Sequence, residues 1–141
     1  MMRFALLLLL SVLALSAGAA RVLAVQPTDE PLDVIEKNLG EQKALMVDVR
    51  EDAETNQGYI AGAVLVPLSH LREGREAPQF GVVLAQILAK DKVLYCYCAS
   101  GQRSLDAAAL FAELGYDARS MKHGFKDLVD EGFVVAKPKA E

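Results

Sequence analysis

The stretch VLYCYCASGQRS, residues 93–104, contains both cysteines of the chain, and a glycine, an arginine and a serine follow them closely. One residue separates Cys96 from Cys98. Two thiols at this spacing could form a disulfide, bind a metal ion, supply a phosphatase-type nucleophile, or carry sulfur. The neighbouring residues have to decide between these four kinds of chemistry.

A disulfide or a metal site fits this pair poorly. Residues i and i+2 of a strand lie about 6.6 Å apart, whereas bridged cysteines need Cβ atoms roughly 4 Å apart. The only histidines are His70 and His123, and the chain has no paired ligand spacing typical of zinc sites. We therefore expect neither an internal disulfide nor a bound metal.

Cys98 has the surroundings of a nucleophile. It follows an apolar stretch typical of a buried strand, and a loop of small residues then leads into a helix. Backbone N–H groups in such a loop can form an anion-binding nest, while the helix N-terminus and Arg103 add positive potential. These groups favour a thiolate and hold an oxyanion above it. Cys96, inside the strand, is expected to pack as a small hydrophobe.

The length of the loop distinguishes phosphate chemistry from sulfur chemistry. Four residues separate Cys98 from Arg103, and six separate Cys96 from Arg103. Cysteine phosphatases enclose the phosphate with a loop one residue longer than the first of these and one shorter than the second. The smaller loop after Cys98 suits a persulfide sulfur or a sulfur-bearing anion better than a phosphate ester.

The elements that must position this loop alternate along the chain. Nearly continuous apolar runs predict strands buried on both faces at 44–49, 63–68 and 92–97, and weaker patterns predict extended segments at 116–121 and 133–136. Helices are predicted at 31–40, 80–90, 104–115 and 125–132. Strands that alternate with helices predict an α/β fold with a mostly parallel central sheet and helices on both faces. Ligands bind at the carboxyl ends of such strands, where Cys98 lies.

Two of these helices have clear apolar faces. The helix at 80–90 directs Phe80, Leu84, Ile87 and Leu88 to one side. The helix after the loop has a stripe of Ala107, Leu110, Phe111 and Leu114. Ser104 is expected to cap its start, and Gly115 its end.

The first 24 residues differ in composition from the rest. Arg3 precedes an apolar run to about Leu15, and small residues follow, which is the layout of a secretory signal peptide with cleavage after Ala19 or Ala24. A membrane anchor is the alternative, but it needs roughly 20 apolar residues. We expect a secreted, periplasmic protein without a membrane contact after cleavage, whose single domain comprises residues 25–141.

Length and charge agree with one globular domain. The chain has 141 residues, of which 52% are hydrophobic and 24% charged. Removal of residues 1–24 leaves 13 basic and 19 acidic residues, a net charge of −6. A mildly acidic domain without a basic cluster is a poor binder of nucleic acid, so no such partner is expected. The composition indicates no particular oligomeric state.

Four blocks, in order, resemble the rhodanese family of sulfurtransferases over roughly residues 30–135. CASGQRS matches its active loop of cysteine, four residues, arginine, and Ser or Thr, and MVDVRE is similar to its first block. GYIAGAVLVPL resembles its second block, with Tyr59 where histidine is usual. LGYDARSMKHGFKDLVDEGFVV resembles its C-terminal block, with His123 in place of a glycine and Leu128 in place of a tryptophan. Within the family, the chain resembles the single-domain periplasmic proteins of the phage-shock type.

The resemblance implies a rhodanese-like fold and sulfur transfer through Cys98, without a cofactor. The thiolate would take sulfur from a small anion such as thiosulfate and pass it from a persulfide to cyanide or a thiol. Asp48 and Arg50 would support loops near the site, or simply form a buried ion pair. The residues implied to bind the donor are those of the loop: Ala99, Ser100, Gly101, Gln102, Arg103 and Ser104.

Two other functions stay open from the sequence. Cys98 could hold sulfur as a non-catalytic carrier for a partner protein. Cys96 and Cys98 could together perform thiol–disulfide exchange, although the chain lacks the C-x-x-C spacing typical of that role.

The signal-peptide prediction is tested by the mass of the exported protein. Expression in a bacterium with a periplasm should yield a soluble exported chain shortened by 19 or 24 residues, because signal peptidase cleaves after small residues. Intact-mass spectrometry of the periplasmic fraction measures the loss. Recovery of the full-length chain from the cytoplasm or the membrane would contradict the prediction.

Overall fold

The computed structural model describes residues 25–139, so the predicted signal peptide lies outside the described part. Within that part, twelve elements follow one another along the chain. Every described helix is too short or too polar to span a bilayer. The elements are α1 (Leu32–Gly40), β1 (Ala44–Asp48), α2 (Asp52–Thr55), β2 (Tyr59–Ile60), β3 (Val64–Leu65), α3 (Leu68–Gly74), α4 (Phe80–Ile87), β4 (Val93–Tyr97), α5 (Gln102–Glu113), β5 (Ala118–Ser120), α6 (Phe125–Asp130) and β6 (Val135–Ala136).

A parallel sheet of four strands, in the order β3-β1-β4-β5, forms the centre of the described domain. The longest pairing joins β1 to β4 over five residue pairs, from Ala44 opposite Val93 to Asp48 opposite Tyr97. Because all these strands run in one direction, their carboxyl ends lie at one edge of the sheet. The predicted parallel α/β fold is confirmed.

Alternation along β4 divides the core into two layers. Leu94, Cys96 and Cys98 face one layer, whereas Tyr95 and Tyr97 face the other, because successive strand residues point to opposite sides. Residues of α3, α4 and α5 cover the first layer, and residues of α1 and α6 cover the second. Both cysteines therefore lie under α5.

The local structure differs from the sequence predictions at four points. The run at 63–68 forms only a two-residue strand, since Pro67 cannot donate to a sheet and instead precedes α3. The sequence patterns also missed α2 and α3, which are short. Ile87 is 54% exposed and does not share the buried face of Leu84 and Leu88.

The fourth difference concerns Ser104. The helix α5 begins earlier than predicted, with Gly101 at the N-cap and Ser104 inside the first turn. Gly101 has φ +92°, a left-handed conformation that glycine adopts without steric cost. The end of α5 agrees with the prediction, because Gly115 follows it with φ +87°.

The segment between β5 and α6 packs against the loop that follows β4. The backbone N–H of Met121 donates to the Cys96 carbonyl, and that of Phe125 donates to the Cys98 carbonyl, both at 2.8 Å. Between them, Gly124 approaches so closely that a Cβ there would lie 2.0 Å from the Ala99 carbonyl oxygen. The position of the loop after Cys98 thus depends on a residue without a side chain at 124.

We expect Gly124→Ala to destabilise the domain by about 1–3 kcal/mol, because the added methyl group must displace backbone rather than a flexible side chain. Urea unfolding measures the effect. Gly81→Ala in α4 is the matched control, since a Cβ there meets nothing within 4 Å and alanine favours a helix by up to about 1 kcal/mol. Equal stability of Gly124→Ala and the wild type would contradict the close packing.

Candidate active site

Cys98 lies one residue beyond the end of β4 and directly before the turn into α5. Its side chain is buried, while Ala99 and Ser100 above it are exposed. The backbone N–H of Gly101 donates to Cys98 Sγ at 3.0 Å. The sulfur therefore lies inside the turn that Gly101 makes, at the N-terminus of α5.

The N–H groups of this turn change the acidity of Cys98. Burial raises the pKa of the thiol, but the backbone N–H groups of Ser104, Ser100 and Gly101 and the Ser104 hydroxyl lower it by more. The pKa of Cys98 consequently lies below its ordinary value. Charge-assisted hydrogen bonds and the helix dipole stabilise the thiolate relative to the thiol.

Cys96 has no such groups. Its side chain is fully buried in the layer under α5, and burial raises its pKa far above the ordinary range. Both cysteines are free thiols. The two thiols thus differ in chemistry although both belong to one strand end, and only Cys98 is arranged as a nucleophile.

Arg103 is held by a partner that the sequence analysis missed. Its guanidinium forms two hydrogen bonds with the Glu54 carboxylate, at 2.6 and 2.8 Å. This bidentate pair lowers the pKa of Glu54 to about 2. The positive charge expected at the loop is therefore largely compensated, so the cradle for the sulfur consists mainly of backbone dipoles.

The helix α2 sets the position of Glu54. The Glu51 backbone N–H donates to Glu54 Oε2 at 3.0 Å, which fixes that carboxylate at the first turn of the helix. Ser69, at the start of α3, donates from its hydroxyl to Glu51 Oε2 at 2.6 Å. A chain of polar contacts therefore joins Arg103 to α2 and α3. The acidic sequence EDAE, residues 51–54 shortly after β1, was the available signal for this partner.

Asp48 and Arg50 form a buried ion pair, with Arg50 Nη2 2.7 Å from Asp48 Oδ2. Tyr97 donates its hydroxyl proton to Asp48 at 2.5 Å and accepts a bond from the Ile60 N–H at 3.0 Å. Arg50 also donates to the Gly58 carbonyl at 2.8 Å. This network ties β1 and the end of β4 to the start of β2.

The same arginine also supports α6. Its guanidinium carbon lies 3.9 Å from the centre of the Phe125 ring, within the range of a cation–π contact. Phe125 in turn donates its backbone N–H to the Cys98 carbonyl. Asp48 and Arg50 thus form a buried ion pair and are also joined to the loop by contacts through Tyr97 and Phe125.

The remaining loop residues have distinct positions. Ala99 and Ser100 form the exposed rim, and Gln102 is the exposed first residue of α5. Ser104 is fully buried; its hydroxyl donates to the Gly101 carbonyl at 2.9 Å and lies 3.7 Å from Cys98 Sγ. Residues 25–139 contain no group of three or more His, Cys, Asp or Glu side chains that could hold a metal ion.

Comparison with known proteins gives a consistent result. A family model described as the rhodanese-like domain matches residues 32–131. The uncharacterized protein YqhL of Bacillus subtilis strain 168 is 34% identical over 88 residues, which span 62% of this chain and 62% of YqhL. The thiosulfate sulfurtransferase PspE of Escherichia coli K12 is 26% identical over 82 residues, 58% of this chain and 71% of PspE.

A solved structure extends the comparison to the fold. The rhodanese-related protein from Thermoplasma volcanium matches with a TM-score of 0.58 and 29% identity, covering 74% of this chain and 92% of that chain. The family model, which matches residues 32–131, includes the β4 strand, the loop after Cys98 and α5. The chain therefore belongs to the family of rhodanese-like domains.

Proposed function

We propose that the protein is a sulfurtransferase that moves sulfane sulfur from thiosulfate, or a similar donor, to cyanide or a thiol through a persulfide on Cys98. The observation that carries this proposal is the Cys98 sulfur inside the α5 turn, with backbone N–H groups lowering its pKa. A relative that is named a thiosulfate sulfurtransferase supports the choice of donor.

The proposed reaction has two balanced steps. The Cys98 thiolate attacks the outer sulfur of thiosulfate; a new S–S bond forms, the S–S bond of the donor breaks, and sulfite leaves with its electron pair. The persulfide anion then loses its outer sulfur to cyanide, which gives thiocyanate and restores the thiolate. With a thiol acceptor, the sulfur passes to that thiol's sulfur instead. Neither step requires a cofactor.

The residues of the loop divide the work of the first step. The N–H groups of Ser100, Gly101 and Ser104 stabilise negative charge on the attacking sulfur and on the persulfide. Arg103, paired with Glu54, contributes a fixed dipole rather than a free positive charge. We infer that a small donor anion binds above Cys98, between the exposed rim and Gln102.

The burial of Cys98 sets a condition for this reaction. Because the side chain has no exposed surface, the donor reaches the sulfur only when the rim at Ala99 and Ser100 moves outward. This condition favours small donors and excludes bulky ones. It is also compatible with a carrier role, in which the enclosed persulfide would be passed to a partner protein.

The thiol–disulfide alternative receives less support. Cys96 lies in the core with a raised pKa, and a disulfide with it would have to replace packing under α5. Export to the periplasm stays part of the proposal, with the test given above. The proposed periplasmic protein would act on small anions and thiols of that compartment.

Separate replacement of the two cysteines tests the proposal. Cys98→Ala should abolish transfer of sulfur from thiosulfate to cyanide while the fold persists, because the nucleophile is lost. Cys96→Ala should retain most of the activity and lose about 1 kcal/mol of unfolding free energy from the small cavity. Thiocyanate formation and urea unfolding measure the two effects, and mass spectrometry after thiosulfate should find one added sulfur on Cys98.

Three outcomes would contradict this assignment. Equal loss of activity in folded Cys96→Ala would indicate that the thiols act as a pair. Hydrolysis of an aryl phosphate that disappears in Cys98→Ala would indicate a phosphatase. A stable persulfide that only a partner protein discharges, with no turnover on cyanide or small thiols, would assign the carrier role.

The Glu54–Arg103 pair gives a second test. Glu54→Gln should lower the KM for thiosulfate by about two- to five-fold and lower the pKa of Cys98, because Arg103 would lose its compensating negative charge. Steady-state kinetics and the pH profile of alkylation measure both effects. Glu41→Gln, which breaks the ion pair with Lys43 before the amino end of β1, is the control of equal charge change and should alter neither. An unchanged or higher KM in Glu54→Gln would contradict the role of Glu54 in compensating the charge of Arg103.

The same variant has an expected pH dependence of stability. The pKa of Glu54 falls from 4.5 to about 2 on folding, so the pair stabilises the fold above pH 4.5 and ceases to do so as the pH falls towards 2. We expect the free energy of unfolding of the wild type to exceed that of Glu54→Gln by about 1 kcal/mol or less at pH 7. The effect is small because the side chains of Glu54 and Arg103 are both about one-third exposed. Urea unfolding between pH 7 and pH 2 should show the difference vanish; a constant difference would contradict it.

A further inference from the structure

Two buried hydroxyl groups lie in a row behind the Cys98 sulfur. Ser104 Oγ is 3.7 Å from Cys98 Sγ, and Ser120 Oγ is 2.9 Å from Ser104 Oγ. Both serine side chains are fully buried. The neighbouring residues of this layer are apolar, so each hydroxyl group has to be satisfied by a specific partner rather than by solvent.

Ser120 is held firmly in this position. It is the last residue of β5 and lies opposite Cys96 in the parallel pairing with β4. Its carbonyl accepts a 2.7 Å bond from the Thr28 N–H, and the next residue, Met121, donates to the Cys96 carbonyl. Backbone contacts on both sides therefore fix the direction of the Ser120 side chain.

The protons in the row can be counted for the thiol state. The Cys98 S–H group points to Ser104 Oγ, and the Ser104 hydroxyl donates to the Gly101 carbonyl. A hydroxyl oxygen has two lone pairs, so Ser104 can accept a second bond from Ser120. In this state each of the three protons has an acceptor.

Ionisation of Cys98 removes one proton and reverses the direction of the hydrogen bond between Cys98 and Ser104. A thiolate only accepts, so a lone pair of Ser104 directed at the sulfur would be repelled, and the Ser104 proton has to turn towards the sulfur. The Gly101 carbonyl tolerates the loss, because the carbonyl of an N-cap residue also accepts the first bond of its helix. Ser104 Oγ then needs a donor on its other side, and Ser120 is the buried donor within reach.

We infer that Ser120 is a positioning residue, which donates to Ser104 and thereby keeps the Ser104 hydroxyl proton directed at the Cys98 thiolate. The inference rests on the proposed function in that it takes the thiolate of Cys98 as the working form. Ser120 contacts neither the sulfur donor nor the sulfur acceptor and acts through Ser104 alone. Aligned hydroxyl groups strengthen one another as donors in a buried site, which gives the second serine an effect on the sulfur.

The test is the pH profile of Cys98 alkylation by iodoacetamide, measured in the Cys96→Ala background so that one thiol is present. Ser120→Ala should raise the midpoint by about half a pH unit, a roughly three-fold lower thiolate ratio at neutral pH. Ser104→Ala should raise it further. Ser120→Ala added to Ser104→Ala should produce no additional shift, because Ser120 has no route to the sulfur without Ser104.

Two further variants separate positioning from general stability. Tyr116→Phe removes another buried hydroxyl of the same layer, which donates to the Leu88 carbonyl, and should destabilise the fold without moving the alkylation midpoint. Ser120→Thr retains the hydroxyl and should restore the midpoint at least in part. If Ser120→Ala is too unstable to measure, Ser120→Thr is compared with Ser120→Cys, because a thiol is a weaker donor of similar size. The alkylation midpoint of Cys98 should then be higher in Ser120→Cys than in Ser120→Thr. Mass mapping distinguishes alkylation at Cys98 from alkylation at the introduced thiol.

The outcomes are distinct from those for the proposed function, because alkylation needs no sulfur donor. A midpoint unchanged in Ser120→Ala, or shifted equally with and without Ser104, would overturn the role of Ser120 even if sulfur transfer is observed. A chain that transfers no sulfur but shows the predicted midpoints would refute the sulfurtransferase and leave the role of Ser120 intact.

Discussion

The backbone N–H groups in the first turn of a helix have no carbonyl partners within that helix, and in α5 the Cys98 sulfur occupies the position of such a partner. For the sulfur to take the place of a carbonyl, β4 has to end directly beneath the start of the helix. The arrangement also requires a left-handed residue at Gly101, which turns the N–H groups inward. The parallel sheet, the close approach of Gly124 and the buried network at Asp48 all serve to hold those two backbone segments in register.

Dipoles rather than net charge therefore dominate the site. Arg103 brings a full positive charge to the loop, but Glu54 neutralises most of it through a bidentate pair. A cradle of fixed N–H groups stabilises charge that appears on sulfur without drawing anions strongly from a distance. The domain is itself acidic, so long-range attraction contributes little to the capture of a donor anion.

The parts of the site that were predictable are those encoded within one short stretch. The apolar run before Cys98, the small residues after it and the stripe on α5 specify a strand, a turn and a helix locally. Glu54 lies 49 residues from Arg103, and Ser120 lies 16 residues from Ser104, so only the folded sheet brings them together. The role of Ser104 was misjudged for a related reason. Serine commonly caps helices, so Ser104 was expected at the helix start. Gly101 takes that place through a left-handed φ angle, which glycine permits but does not require.

The contact between the N-terminal segment and β5 has a consequence for the sheet as a whole. Thr28 donates to the Ser120 carbonyl and Pro27 pairs with Ser120, so this segment covers the outer edge of β5 at its end. An uncovered edge strand is a template on which a second chain can add strands, and a proline there offers no N–H to continue the pairing. The few residues that follow the predicted cleavage region thus protect the domain against edge-to-edge aggregation at high local concentration.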